Sequence, residues 1–363
     1  MKGERLAVAM SGGVDSSVAA ALLIEQGYEV IGITMRIDPD ETTPARPSEA
    51  GEGGGDGVVA AARQAARELG IRHHVVDLRS LFRRHVIDPF CGEYAAGRTP
   101  NPCLACNLHV KFGALLARAR RLGAGRLASG HYAGVDFDEA RGRWLLRRAA
   151  DAAKDQSYSL YRLRQDQLAR VLFPLSDITK VRTRALAAGL GLSGADRPES
   201  QQICFLSDES YGQFVSRHRP EMSRPGAIVD RGGRVLGRHR GIVFYTVGQR
   251  HGLRITGDRA RYVIAIDAEE NRLVVGGEDE LMARELVMSD VNYVAIPSLP
   301  EARGGLAAKI RSGARPAACR AEPEGRRVRL RFARAQRAIT PGQAAVCYEG
   351  AAVAFGGIID TVA

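Results

Sequence analysis

Several things that whole classes of protein require are scarce in this sequence. No stretch approaches the ~18 consecutive apolar residues that a membrane span needs. Met1 to Met10 reads as a charged start followed by a short strand, so neither a secreted nor a membrane protein is expected. Cysteine is sparse, six in 363 residues, which is too few for a disulfide scaffold and suits a reducing compartment such as the cytoplasm. Acidic residues are the minority: 41 Asp plus Glu face 52 Lys plus Arg, a net charge of +11. That balance favours a polyanionic partner, nucleic acid first. No internal repeat is evident. The rest is ordinary, with 45% hydrophobic and 26% charged residues; this excludes wholesale disorder, and the length suggests two or three domains.

Apolar β-rich runs alternate with helical patterns over the first 130 residues, as in βαβ units around a doubly wound parallel sheet. Strands are expected near Leu6–Met10, Glu29–Met35, His73–Leu78 and Arg126–Ser129. Helices are expected over Ser16–Gln26, Val58–Leu69 and Phe112–Leu122, stopped by Gly27, Gly70 and Gly123. Asp38 to Gly57 has no apolar period and reads as a mobile surface insertion. Short helices over Leu160–Leu192 complete a first domain at 1–207. Short strands with turns at Asp230–Gly233 and Asp267–Asn271 indicate a small β-containing central domain at 208–278. LAAKIRS, RRVRLRF, AAVCYE and AFGGIIDTV are candidate strands of a barrel or sandwich, and a C-terminal β-barrel is expected at 279–363. Residues 301–363 carry eleven Lys plus Arg against five Asp plus Glu, six of the eleven net positive charges, a surface suited to nucleic-acid phosphates.

The first strand runs into Met10-Ser11-Gly12-Gly13-Val14-Asp15-Ser16-Ser17, directly before an Ala-rich helix. A glycine pair lets the backbone present its N–H groups at a helix N-terminus, where phosphate binds. The Gly-Lys-Ser/Thr ending of a Walker A loop and the dinucleotide spacing are both missing. Asp15 can hold Mg²⁺ between phosphates, and Ser11, Ser16 and Ser17 can donate to phosphate oxygens. A plain βα turn with Ser16 as N-cap is the simpler alternative. SGGVDSS resembles the loop of the N-type ATP pyrophosphatases, which cleave ATP between its α and β phosphates and adenylate a carbonyl oxygen.

Gly97-Arg98-Thr99-Pro100-Asn101-Pro102-Cys103-Leu104-Ala105-Cys106-Asn107 precedes a helical segment with Lys111 and Phe112. A helix start beyond Cys106 would lower its thiol pKa toward the nucleophilic thiolate. Half a zinc site is the alternative for Cys-x-x-Cys, but the second ligand pair is missing. Cys204 is a further thiol of the first domain, whereas Cys91, Cys319 and Cys347 read as inert buried thiols.

SGGVDSS, GRTPNPCLACN, SGHY, KDQSY, SQQICF, TVGQRHGL and PGQAAVCY occur in that order, and together they resemble the tRNA-specific 2-thiouridylase family across essentially the whole chain. The resemblance implies ATP- and Mg²⁺-dependent replacement of the wobble-uridine C2 oxygen by sulfur in Lys, Glu and Gln tRNAs. A cysteine desulfurase or sulfur-relay protein would be the donor. By motif, Ala9, Met10, Ser11, Gly12, Gly13, Val14, Asp15, Ser16, Met35 and Gly130 match ATP-contacting positions. Asn101, Pro102, Cys103, His131, Lys154, Asp155, Gln156, Arg311, Ser312 and Gln343 match tRNA-contacting ones, although Ser312 stands where relatives often carry an aromatic. Gln249 and Arg250 form a turn of the central domain. Cys106 resembles the nucleophile and Cys204 the persulfide carrier, which would close a disulfide on turnover and join Asp15 as catalytic residues.

Cys103 stands where many members carry Asp, and three thiols could instead hold an iron–sulfur cluster. Two other readings stay open, an amide-forming ATP pyrophosphatase and a non-catalytic tRNA-binding protein.

Overall fold

The computed structural model describes residues 3–38, 54–193, 203–206, 209–255, 259–299 and 305–362. Two compact units emerge, one of Met1–Val86, Cys103–Ser207 and Ala351–Val353, the other of Ile87–Pro102, Asp208–Gly350 and Ala354–Ala363.

The first unit is built on a five-stranded parallel sheet: β1 (Arg5–Ala9), β2 (Glu29–Arg36), β3 (Arg72–Asp77), β4 (Arg126–Ser129) and β7 (Val171–Leu172), ordered β3-β2-β1-β4-β7. β5 (Ala133–Asp138) and β6 (Arg143–Arg148) pair as an antiparallel hairpin. Helix α1 (Val14–Glu25) follows β1 and α2 (Gly54–Glu68) follows β2. Leu6 and Val8 of β1 and Met10 just beyond it pack with Ala20 and Leu23 of α1 and with Ala62, Ala65 and Ala66 of α2. Burying each larger side chain of that cluster contributes about 1.5–3 kcal/mol. Alanine on both helices lets them lie close to the strands. Gly27, Gly70 and Gly123 all take positive φ, as expected of left-handed helix stops.

From β1 the chain builds outward through β2 to β3 and returns to β4 on the other side of β1. The loops leaving the carboxyl ends of β1 and β4 therefore diverge, and an α/β sheet opens its ligand crevice at such a switch point.

Residues 39–53 of the expected insertion lie outside the described residues, but 54–57 already belong to α2. The helix expected at Phe112–Leu122 starts earlier: a turn at Pro102–Ala105 runs into a π-helix, Cys106–Leu115, and then into α-helix Leu116–Arg121.

In the second unit, β8 (Gly226–Val229), β9 (Val235–His239), β10 (Tyr262–Asp267) and β11 (Arg272–Gly276) form a sheet ordered β10-β11-β8-β9. Its two hairpins turn at the expected Asp230 and Asp267 segments. The remaining strands are β12 (Met282–Tyr293), β13 (Leu306–Lys309), β14 (Ala317–Glu324), β15 (Arg327–Arg337), β16 (Ala344–Glu349) and β17 (Ala352–Val362). They run β12-β15-β14-β13-β16-β17, and a β12–β17 pairing closes a six-stranded barrel. Leu286, Met288, Leu330, Phe332, Phe355 and Ile359 fill its core together with Cys347. Closure removes the open sheet edges that would otherwise template aggregation. No helix among the described residues is long and apolar enough to cross a membrane.

Candidate active site

Gly12 takes φ +71°, and a Cβ there would lie 2.4 Å from the Ala61 Cβ, so only glycine lets the loop lie against α2. Gly13 is the N-cap of α1 in extended conformation, and no side chain caps the helix. That leaves the first-turn N–H groups of an Ala-rich helix available to an anion. Ser16 is therefore not the N-cap that the plain βα turn would require. Ser16 lies inside the first turn, donates to the Gly13 carbonyl (3.0 Å) and accepts from the Ser11 N–H (3.3 Å). Ser17 also donates to Gly13 (3.1 Å). These bonds tie the loop into a preformed cradle.

Gly130 follows β4 and presses against that cradle: a Cβ there would meet the Asp15 carbonyl carbon at 2.6 Å and the Ser16 nitrogen at 2.7 Å. Ala9 ends β1 and Met10 follows it, and half-buried Met35 lies near the carboxyl end of β2. The expected ATP residues therefore meet at the switch point. Sequence reasoning missed the partners of Asp15. Lys180, the first residue of helix Lys180–Gly189, donates from Nζ to both Asp15 oxygens (2.7 and 2.8 Å). The Tyr132 hydroxyl lies 2.9 Å from Asp15 Oδ1 and from Thr183 Oγ1. Burial, with the Asp15 charge beside it, pushes the Tyr132 phenol pKa up and keeps it a donor. Tyr132 lies within SGHY, but no local pattern marks Lys180 as its neighbour.

The thiols sit on the adjoining wall. Cys103 and Cys204 are exposed and Cys106 is half-buried, and all six cysteines of the chain are unbridged. Although two of the three present surface, dense protein around each sulfur withdraws hydration. Burial pushes the Cys103 and Cys106 thiols up, and Cys204 up to about 12. Cys103 and Cys106 add to the rise at Cys204, while the Lys111 ammonium opposes it at all three. The expected lowering of the Cys106 pKa by a helix start is thus corrected. The helical run begins at Pro102, Cys106 lies inside it, and its burial outweighs any end effect. Cys91, pushed up to about 11 by burial, and Cys347 are buried thiols, and Cys319 is half-buried against the barrel core.

His131 is buried between the rings of Phe112 (5.7 Å between centroids) and Phe173 (5.8 Å). A contact there reaches groups that enter the crevice, not phosphates on an outer surface. The Asp155 carboxylate accepts from the Ala149 and Ser157 N–H groups (3.3 and 3.1 Å). Gln156 brackets Tyr132, accepting its N–H at Oε1 (2.9 Å) and donating its own N–H to the Tyr132 carbonyl (2.8 Å). Gln156 thereby braces the residue next to His131, and half-buried Lys154 precedes the pair.

Asn101 and Pro102 belong to the second unit, as do exposed Arg311 and Ser312. Gln343 donates from Nε2 to the Thr99 carbonyl (2.8 Å), and Arg311 to the Arg337 carbonyl (3.2 Å). Gln249 organises its turn by accepting from the Thr246 N–H and donating to the His251 carbonyl.

Among the described residues no group of three or more His, Cys, Asp or Glu is placed to hold a metal ion. Mg²⁺ needs no such cage, since one carboxylate and substrate phosphates commonly hold it; in this structure the Asp15 oxygens are engaged by the Lys180 ammonium and the Tyr132 hydroxyl.

A parallel sheet with an uncapped glycine loop at its switch point, followed by a small β domain and a closed barrel, defines a nucleotide-binding protein of the ATP-pyrophosphatase type. Family models match in the same order: a tRNA methyl transferase HUP domain over residues 4–208, a tRNA methyl transferase PRC-barrel domain over 212–277 and an aminomethyltransferase β-barrel domain over 283–359. The chain is 49% identical over 359 residues to the tRNA-specific 2-thiouridylase MnmA of Moorella thermoacetica, covering 98% of this chain and 99% of the relative. It is 48% identical to that of Symbiobacterium thermophilum, covering 98% of this chain and 92% of the relative. It is 45% identical to that of Acetivibrio thermocellus, covering 99% and 100%. The chain belongs to the tRNA-specific 2-thiouridylase family.

Proposed function

We propose that this protein is a tRNA-uridine 2-sulfurtransferase that uses ATP to replace the C2 oxygen of the wobble uridine of Lys, Glu and Gln tRNAs by sulfur. The observation that carries the reading is the end of β4. Gly130 abuts the phosphate cradle, and the next residue, His131, reaches Lys111, whose charge acts on all three thiols. One crevice thus joins a phosphate loop to a set of thiols, as activation of an oxygen followed by sulfur delivery requires.

The uridine C2 oxygen attacks the α-phosphorus of ATP, the bond to the β-phosphate bridging oxygen breaks, and pyrophosphate leaves. Mg²⁺ at Asp15 would neutralise phosphate charge. The α1 N–H groups and the Ser11 hydroxyl hold the phosphates in place, the Ser16 and Ser17 hydroxyls being given to the Gly13 carbonyl. A persulfide on Cys204, loaded by a cysteine desulfurase or sulfur-relay protein, then supplies its outer sulfur to C2, and AMP departs with the original oxygen. Cys106 attacks the Cys204 sulfur as the persulfide bond breaks, forming a Cys106–Cys204 disulfide that an external reductant reopens. The need for that reductant suits the cytoplasm. The base must leave the anticodon stack to reach the crevice. Asn101, Pro102, Cys103, His131, Lys154, Asp155, Gln156, Arg311, Ser312 and Gln343 are assigned to tRNA, and domains at 1–207, 208–278 and 279–363 to catalysis, connection and RNA contact.

The test is thiolation of an unmodified Glu tRNA transcript with ATP, Mg²⁺, cysteine and a cysteine desulfurase, read as retardation on a mercury-containing gel. Wild-type protein prepared free of iron is expected to give an ATP-dependent retarded band. The Cys106→Ser and Cys204→Ser variants should give none while still binding tRNA. Appreciable turnover by either variant refutes the disulfide mechanism.

A further inference from the structure

The site contains a cation that the steps above do not use. Lys111 stands five residues after Cys106, and in an α-helix those positions would be about 140° apart around the axis, on different faces. Here the segment Cys106–Leu115 is a π-helix. Its i→i+5 bonding brings residues five apart nearly one full turn round, back to the same face.

Two features of the sequence support that winding. Gly113 lies against the Leu108 carbonyl, where a Cβ would come within 2.9 Å of the oxygen. Buried Gln167 donates from Nε2 to the carbonyls of Leu108 and Phe112, each at 3.0 Å.

The Lys111 Nζ lies 3.4 Å from His131 Nε2, and Ser129 Oγ lies 2.7 Å from His131 Nδ1. Burial, together with the ammonium, drives the imidazole pKa well down. A neutral ring facing an ammonium must offer its Nε2 lone pair, so the proton sits on Nδ1 and is donated to Ser129. The rings of Phe112 and Phe173 hold the imidazole in that orientation. Cys106 is faced by Cys103 and Lys111 from its own helical run, and Cys204 is faced by Cys106, Cys103 and Lys111. Lys111 is faced by His131 from the end of β4.

We propose that Lys111, seated by the Ser129–His131 pair and brought onto the Cys106 face by the π-helical winding, is a positioning residue for the sulfur chemistry. It holds the thiolate of Cys106 and steadies negative charge as sulfur leaves Cys204. His131 acts through Lys111. The inference rests on reading Cys106 and Cys204 as the sulfur-handling pair, but its test needs neither tRNA nor ATP nor a sulfur donor.

The reduced full-length protein is treated briefly with iodoacetamide at neutral pH, and alkylation at Cys106 is quantified by peptide mass spectrometry. Lys111→Met is expected to slow alkylation at Cys106 at least tenfold and to move its pH midpoint upward by about one unit, the equivalent of that factor. Lys111→Arg, which keeps the charge, is expected to stay within threefold of wild type. Ser129→Ala removes one oxygen and leaves the chain foldable, and is expected to slow Cys106 two- to fivefold. A wild-type rate and midpoint in Lys111→Met overturns the proposal. If that variant fails to fold, a wild-type rate in Ser129→Ala overturns it.

Discussion

Gln167 ties the winding of the thiol-bearing helix to a single buried amide, and replacing it by leucine tests that link. The side chain is 4% exposed, donates to the Leu108 and Phe112 carbonyls at 3.0 Å each, and accepts the Arg164 N–H at 3.0 Å. Leucine fills similar space but offers no polar atom. Each bond contributes about 0.5–1.5 kcal/mol net, and leaving buried carbonyls short of a partner moves the loss toward the upper end, giving about 2–4 kcal/mol for the three. At roughly 2–4 °C per kcal/mol for a unit of this size, the melting temperature should fall by about 4–16 °C. Calorimetry measures the shift, and hydrogen exchange on peptides spanning 106–121 locates it. Protection should fall there and remain in β12–β17. A melting temperature within 1 °C of wild type, with unchanged exchange over 106–121, would show that the π-helix does not depend on this amide.

Four other outcomes follow from the same geometry. Asp15→Ala should abolish tRNA-dependent pyrophosphate release, whereas full release by the variant would remove Asp15 from the reaction. Gly130→Ala would drive a methyl group into the Asp15 backbone; equilibrium dialysis should show at least tenfold weaker ATP binding, with stability lowered by about 1–3 kcal/mol, and wild-type affinity would refute the close approach. The Cys204 thiol has its pKa raised from 9.0 to about 12. The unfolded chain therefore loses that proton first as pH rises, and stability present below pH 9 should decline between pH 9 and 12. Denaturant titrations of wild type and Cys204→Ser should differ in alkaline slope, and identical slopes would contradict the burial effect. Arg311→Ala should weaken tRNA binding and reduce its logarithmic salt slope by about one; an unchanged slope in filter-binding assays would place the phosphate contact elsewhere.

Much of this protein is written in local pattern. The alternation of apolar runs and Ala-rich helices determined the parallel sheet, and the three glycine stops end helices where their left-handed backbone requires. SGGVDSS carried the phosphate cradle because a glycine turn into a helix start is a short-range device. The ordered motifs together marked the family.

Local pattern did not reach β12 or β14. AACRAEPE holds alanine, charge and Pro323, residues with little strand preference of their own, and its place in the barrel comes from pairing with β13 and β15. The β5–β6 hairpin was missed in the same way. Nor could spacing show that Lys180, 165 residues from Asp15, would bind both its oxygens. That contact follows from sheet order and helix packing. The π-helix is also a tertiary result: a glutamine more than fifty residues away donates to two of its carbonyls. Sequence determined which chemical groups are present and which short devices present them. Only the tertiary structure decided which groups meet, because their proximity depends on strand order and on partners that local stereochemistry cannot specify.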